Sequence, residues 1–236
     1  MIIASYLIPI FISFDALALA GPAQEAVANP TQHVQNEQSE LSPEQLKDAA
    51  STELSGDDIL KKINSRMSET TSARGGFVQT DALGEVTTGN FYLRRPGRVR
   101  FEYTSPTPYL IVSDGTTVAI EDKELDTIDR APLSATPLKH FLKTNLDFST
   151  DTSVLDIRTL PDSHLVVLED NPKDGEEALD GLVFLKFNKE NFDLIGWVTI
   201  DGLGNETRVD LIDMELNVKI SPRLFVLEDE DNRDRR

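Results

Sequence analysis

The sequence predicts a mainly β fold with a few α-helices, built as one large curved antiparallel sheet. Three observations carry this. From Phe77 to Val226 the chain is a near-continuous series of short alternating apolar and polar segments. Asp114-Gly115 and Asp201-Gly202 are turn dipeptides of the kind that join antiparallel neighbours. Two helical patterns each carry only one narrow apolar stripe, so neither helix has a core of its own.

Ordered structure is expected from residue 55. Ser55 with Asp58 three residues on resembles a capping arrangement. Ile59, Ile63 and Met67 then recur at i, i+4 and i+8 with Leu60 alongside, an amphipathic helix that must lie on something apolar. Strands follow at Phe77–Gln79, Glu85–Leu93, Val99–Tyr103, Tyr109–Ser113 and Thr117–Glu121. A second series runs Val154–Ile157, Leu165–Leu168, Leu182–Phe187, Leu194–Ile200, Thr207–Ile212 and Leu216–Ile220. Short connections predict a meander of consecutive neighbours. Between the two series, Thr136 reads as an N-cap with Pro137 at the first helical position, and Leu138, Phe141 and Leu142 form the second apolar stripe.

Long antiparallel sheets coil and enclose a concave face, which helices with one apolar stripe can plug. A loosely held plug leaves a binding cavity, whereas a tight one completes a permanent core; periodicity is the same in both cases. The expected lining is Phe77, Phe91, Leu93, Val99, Phe101, Tyr103, Leu110, Val112 and Trp197. Arg95 ends the row begun by Phe91 and Leu93. A strand-end arginine can reach past the core to solvent, or its five donors can hold helix C-terminal carbonyls, which lack intrahelical partners.

Composition sets the frame. The chain has 236 residues, a net charge of −18 and no cysteine. Nucleic acid and anionic membrane surfaces are poor partners for such a surface. Disulfides, thiol catalysis, zinc–thiolate sites and a lipidated cysteine are excluded. Residues 1–20 read as an export signal: an apolar run from Ile2 to Phe14, then Ala18-Leu19-Ala20 as a small-x-small cleavage pattern. No Lys or Arg precedes that run and Asp15 sits near its end. Residues 21–54 are a flexible polar spacer without aromatics, 55–227 the β domain, and 228–236 a charged tail.

Catalytic and metal constellations are missing from the sequence. His33, His140 and His164 have no metal-ligand spacing, and no nucleophile elbow or phosphate loop is present. Asp170 to Gly175 faintly resembles a calcium loop, but Pro172 stands at the third ligand position. The reading is therefore not an enzyme, with no cofactor and no metal.

The order of these segments resembles a known family. Phe77-Val78-Gln79, Gly89 with the Phe91/Leu93 row, Arg95-Pro96, Arg100-Phe101-Glu102-Tyr103, Leu110-Ile111-Val112-Ser113-Asp114-Gly115 and Thr136-Pro137-Leu138 are similar, in order and spacing, to the periplasmic outer-membrane lipoprotein carriers, LolA. Asp201 to Thr207 resembles that family's hairpin turn. The resemblance spans about residues 57–226. It implies an incomplete β-barrel capped by helices, with Ile59, Ile63, Met67, Leu138, Phe141 and Leu142 on the lid. It implies a periplasmic monomer that carries lipoprotein acyl chains from an inner-membrane ABC transporter to an outer-membrane receptor, if one is present. The arginine matching Arg95 would hold the empty form shut, which turns the reading of Arg95 toward a gate. The alternative function is a periplasmic domain that senses lipid or lipoprotein on the same fold without transferring it.

Overall fold

The structure is a computed structural model of the chain, and it describes residues 54–171 and 181–226. The segments expected as leader, spacer and charged tail lie outside the described residues, apart from Leu54, as does most of the Asp170–Gly175 run.

The described residues begin with helix α1 (Gly56–Glu69), which buries Ile59, Leu60, Ile63 and Met67 and carries Asp57 and Asp58 in its first turn, where they complement the helix dipole. Six strands follow: β1 (Ser72–Thr80), β2 (Val86–Arg94), β3 (Arg98–Tyr103), β4 (Tyr109–Asp114), β5 (Thr117–Asp122) and β6 (Thr127–Pro132). Two 3-10 turns (Leu133–Ala135 and Pro137–His140) and a one-turn helix, α2 (Phe148–Asp151), lead to five more strands. These are β7 (Thr152–Thr159), β8 (Ser163–Asp170), β9 (Gly181–Asn188), β10 (Leu194–Asp201) and β11 (Glu206–Leu216). A last 3-10 turn spans Pro222–Phe225.

All eleven strands form one antiparallel sheet in the order β6-β5-β4-β3-β2-β1-β11-β10-β9-β8-β7. The sheet is not closed: β6 and β7 are its two edges. The expected single meander is corrected here to two, joined where β1 pairs with β11 (Phe77 opposite Leu211). That pairing is non-local, so no short-loop rule points to it.

Other departures have local causes. β6 was not anticipated because only Ala131 in it is buried, leaving no alternation to read. The expected strand Leu216–Ile220 does not form. β11 ends at Leu216, and Asn217 takes a left-handed φ of 54° while its side-chain oxygen accepts from the Thr71 backbone N–H at 2.9 Å. The expected helix after Thr136 is a short 3-10 turn. Thr136 makes no side-chain cap; its hydroxyl instead donates to the Leu133 carbonyl at 2.9 Å. The helical turn α2 lies further on, capped by Asp147, whose side chain accepts from Ser149 N.

One face of the sheet, α1 and the segment around Leu138–Phe148 enclose the main core, with Phe77, Ile111, Val118, Val166, Leu185 and Val209 at its centre. Residues facing each other across an antiparallel ladder share a face. Phe91, Phe101, Ile111 and Ile120 form such a row on the concave side.

Candidate functional site: an apolar cavity under a latched lid

Arg95 ends β2's concave row and sits in the β2–β3 turn. Its Nε and Nη2 donate to the Phe141 carbonyl at 3.1 and 3.0 Å, and its Nη1 donates to Met67 O at 2.5 Å and to Thr70 O. Met67 and Thr70 close the C-terminal turn of α1, where carbonyls lack intrahelical donors. Phe141 belongs to the other covering segment. One guanidinium thus bridges both pieces of the lid. The same turn grips the lid a second time, Gly97 N donating to Leu142 O at 2.9 Å. Gly97 has φ +73°, and a Cβ there would come within 2.5 Å of Gly115 Cα, so this close approach needs glycine. Burial lowers the Arg95 guanidinium to about 10, which keeps it charged at neutral pH.

Beneath this latch lies an apolar cavity of about 70 Å³. Of the residues read from sequence as lining, Phe91, Leu93, Val99, Phe101 and Trp197 border it. Met67, Leu138, Phe141 and Leu142 border it from the lid side. Trp197 packs edge-on to Phe101 (6.5 Å between centroids) and tilted against Phe141 (6.4 Å), linking wall to lid. Ligand clefts typically enclose about 300–1,000 Å³. This cavity is several times smaller than such a cleft.

The remaining expected residues stand elsewhere. Phe77 and Tyr103 share the concave face but fill it solidly toward its other end. Phe77 lies edge-on to Phe101 and Tyr103 at 5.5 and 5.0 Å. Its ring occupies the space over Gly89, where a Cβ would meet it at 2.6 Å. Tyr103 is sealed there too; its hydroxyl donates to Gln79 Oε1 at 2.8 Å, and burial pushes its pKa up. Ile59 and Ile63 are buried core residues of α1 away from the cavity. Leu110 and Val112 are corrections: they stand on the opposite face. Leu110 pairs with Glu102 and Val112 with Arg100, both on the convex side. They are buried all the same, because the segment after β11 crosses that face. Its Pro222–Phe225 turn packs on β3 and β4, burying Ile220 and Phe225 while Arg100 Nη1 donates to Leu224 O at 3.4 Å. Apolar residues on both faces of β4 made alternation ambiguous there.

Sequence reading missed Ala73, which pairs with Leu93 across the β1–β2 ladder, and the wall beyond it, formed by Leu194, Leu211, Met214 and Leu216. The Val209/Leu211 alternation was a usable signal; the β1–β11 junction that brings it to the cavity was not. It also missed a polar clasp at the rim, where Arg66 Nε donates to Asp193 Oδ1 at 2.6 Å. Beside it Lys62 sits over the Phe192 ring, which stacks on His164 at 5.3 Å. Among the described residues no group of three His, Cys, Asp or Glu is placed to hold a metal, and no helix is long and apolar enough to cross a membrane.

An unclosed antiparallel sheet, lidded by helical segments over an apolar cavity, defines a class of protein built around a hydrophobic interior that a lid can cover. Within that class, residues 68–228 match the family described as outer membrane lipoprotein carrier protein LolA. The chain belongs to the LolA family. It is 27% identical over 178 residues to an outer-membrane lipoprotein carrier protein of Methylibium petroleiphilum, covering 71% of this chain and 84% of that one. A protein of the same description from Neisseria meningitidis is 22% identical over 184 residues, covering 75% and 84%. Among solved structures, a LolA superfamily protein from Nitrosomonas europaea aligns over 74% of this chain and 99% of its own, with a TM-score of 0.46 and 15% identity.

Proposed function

We propose that this protein is a periplasmic carrier that takes lipoprotein acyl chains into the cavity under its lid and delivers them toward the outer membrane. The observation that carries the reading is the Arg95 latch. A permanent core has no need of a buried guanidinium bonded to the carbonyls of two separate covering segments over an apolar void. The cavity is too small for an acyl chain in this state, so loading requires the lid to lift. Lifting breaks the Arg95 bonds and extends the apolar surface from Phe91 and Val99 toward Leu211 and Leu216. Family membership points the same way, as does a sequence that opens on an export-signal pattern. The partners are lipoproteins, an inner-membrane lipoprotein-releasing transporter and an outer-membrane acceptor. The chemistry is binding and release, without catalysis.

The test is titration with a fluorescent fatty-acyl probe, followed by challenge with a triacylated peptide and then with acceptor membranes. The expected result is saturable binding near one-to-one, displacement by the peptide, and loss of bound lipid to the membranes. A folded protein without saturable binding would overturn the reading. Tight binding with no transfer to any acceptor would favour a lipid-sensing domain instead.

A further inference from the structure

The end of the sheet opposite the Arg95 latch carries a feature the carrier function leaves unused. β1–β2 and β10–β11 turn through the pentapeptides Asp81-Ala82-Leu83-Gly84-Glu85 and Asp201-Gly202-Leu203-Gly204-Asn205. The two turns have the same internal bonding. Asp81 Oδ1 accepts from Leu83 N and Glu85 N at 2.9 and 2.8 Å; Asp201 Oδ1 accepts from Leu203 N and Asn205 N at 2.9 and 2.8 Å. Gly84 and Gly204 each donate back to the aspartate carbonyl at 3.0 Å, with φ of +81° and +86°. Each turn therefore holds its leucine in one fixed, outward position. Leu83 is 67% exposed and Leu203 81%, and Val86 at the base of the first hairpin is 60% exposed.

The register brings the hairpins together. Thr80, the last residue of β1, pairs with Arg208 near the start of β11, so the two tips leave the sheet from adjoining strands at one end. The β5–β6 tip, with Leu125 71% exposed, leaves from the same end, because Asp122 pairs with Tyr109 where β4 begins. The latch lies at the other end, where Ser72 pairs with Arg94.

We propose that the twin hairpins are a membrane-docking edge for a zwitterionic, ethanolamine-type lipid surface. Shape and charge select this occupant. The leucines are separate convex points rather than a continuous apolar face, and exposed carboxylates outnumber exposed cations around them: Glu85 for the first tip, Glu206 for the second with Arg208 paired to Asp210, and Glu124 and Asp126 with Lys123 beside Leu125. A protein groove that swallowed such a tip would have to desolvate those carboxylates. In a bilayer the leucine passes below the headgroups while the carboxylates stay level with them, beside the ammonium groups. The same carboxylates repel anionic lipid. Docking by this end leaves the lid clear of the membrane plane.

This inference does not depend on cargo, so it is tested on empty protein. Flotation of the full chain with phosphatidylethanolamine/phosphatidylcholine vesicles should show binding, weakened when phosphatidylglycerol is added. Leu83→Ser/Leu203→Ser should weaken binding at least tenfold while leaving acyl-probe affinity unchanged. Leu155→Ser, at an exposed leucine on the β7 edge strand, should bind as the unaltered chain does. In a second measurement, Leu203→Trp should give indole emission that shifts to the blue on adding the zwitterionic vesicles. No vesicle binding, equal binding by the double variant, stronger binding to anionic vesicles, or a crosslinker at position 203 that captures a protein while vesicles do not bind would each overturn the proposal.

Discussion

Arg95 carries a full charge into a setting where every hydrogen-bond acceptor is a backbone carbonyl. Charge-assisted bonds of this kind are worth about 1.5–3 kcal/mol each, and burial of the unneutralised guanidinium works against that sum, as its lowered pKa records. The two effects oppose each other, so under the proposed function the Arg95 contacts would favour a covered cavity without making it permanent. Arg95→Leu keeps apolar bulk at the cavity rim while leaving the carbonyls of Met67, Thr70 and Phe141 without their donor. We expect that variant to fold, to bind the acyl probe roughly tenfold more tightly (about 1.4 kcal/mol) and to release cargo to acceptor membranes poorly. Unchanged probe affinity and delivery, at an unchanged melting temperature, would return Arg95 to a structural role.

At the scale of elements, two docked pieces give separate tests. The C-terminal Pro222–Phe225 turn is held on the convex face by Phe225, buried against the side of the sheet that carries Leu110 and Val112. Phe225→Ala should cost about 3 kcal/mol, measured by urea unfolding, without changing probe binding, because that face has no part in the cavity. The helix α1 is docked on the β9–β10 turn through the Lys62–Phe192–His164 stack. Burial and the Lys189 charge lower the His164 pKa from the usual 6.5; Thr159 Oγ1 faces its Nδ1 at 3.2 Å. The unfolded chain therefore takes up a proton, as pH falls below about 6.5, that the folded one refuses. Stability should be full above that pH and decline as pH falls below it, a decline that His164→Phe should flatten. Equal melting curves for the two proteins below that pH would show that the imidazole does not titrate differently on folding.

For the whole molecule, the described residues form one contiguous hydrophobic core, and the sequence of residues 21–54 contains no Phe, Trp or Tyr. A chain beginning at Leu54 should melt within a few degrees of one beginning at Gly21, as followed by circular dichroism. A loss of ten degrees or more would assign the spacer a structural role. The same scale explains what was readable. Alternation at Phe91/Leu93 and Val99/Phe101/Tyr103 placed five residues on one face correctly, because side-chain direction along a strand is a local property. Leu110 and Val112 were placed wrongly because β4 is buried on both faces, and which face meets the cavity depends on what crosses the outside.

The sequence alone determined the strand-rich class, most strand positions, the amphipathic character of α1, the place of Arg95 at the end of an apolar row, and the family. These follow from two-residue and 3.6-residue periodicities and from short motifs, all of which act between near neighbours in the chain. Only the tertiary structure decided that two meanders join at β1 and β11, and that Leu211, Met214 and Leu216 therefore close the cavity opposite Phe91. It also decided which carbonyls Arg95 holds, and that two hairpins 120 positions apart in sequence (Leu83 and Leu203) leave the sheet side by side. Each of these is a contact between distant segments, fixed by how the whole sheet coils and not by any local preference of the residues that make it.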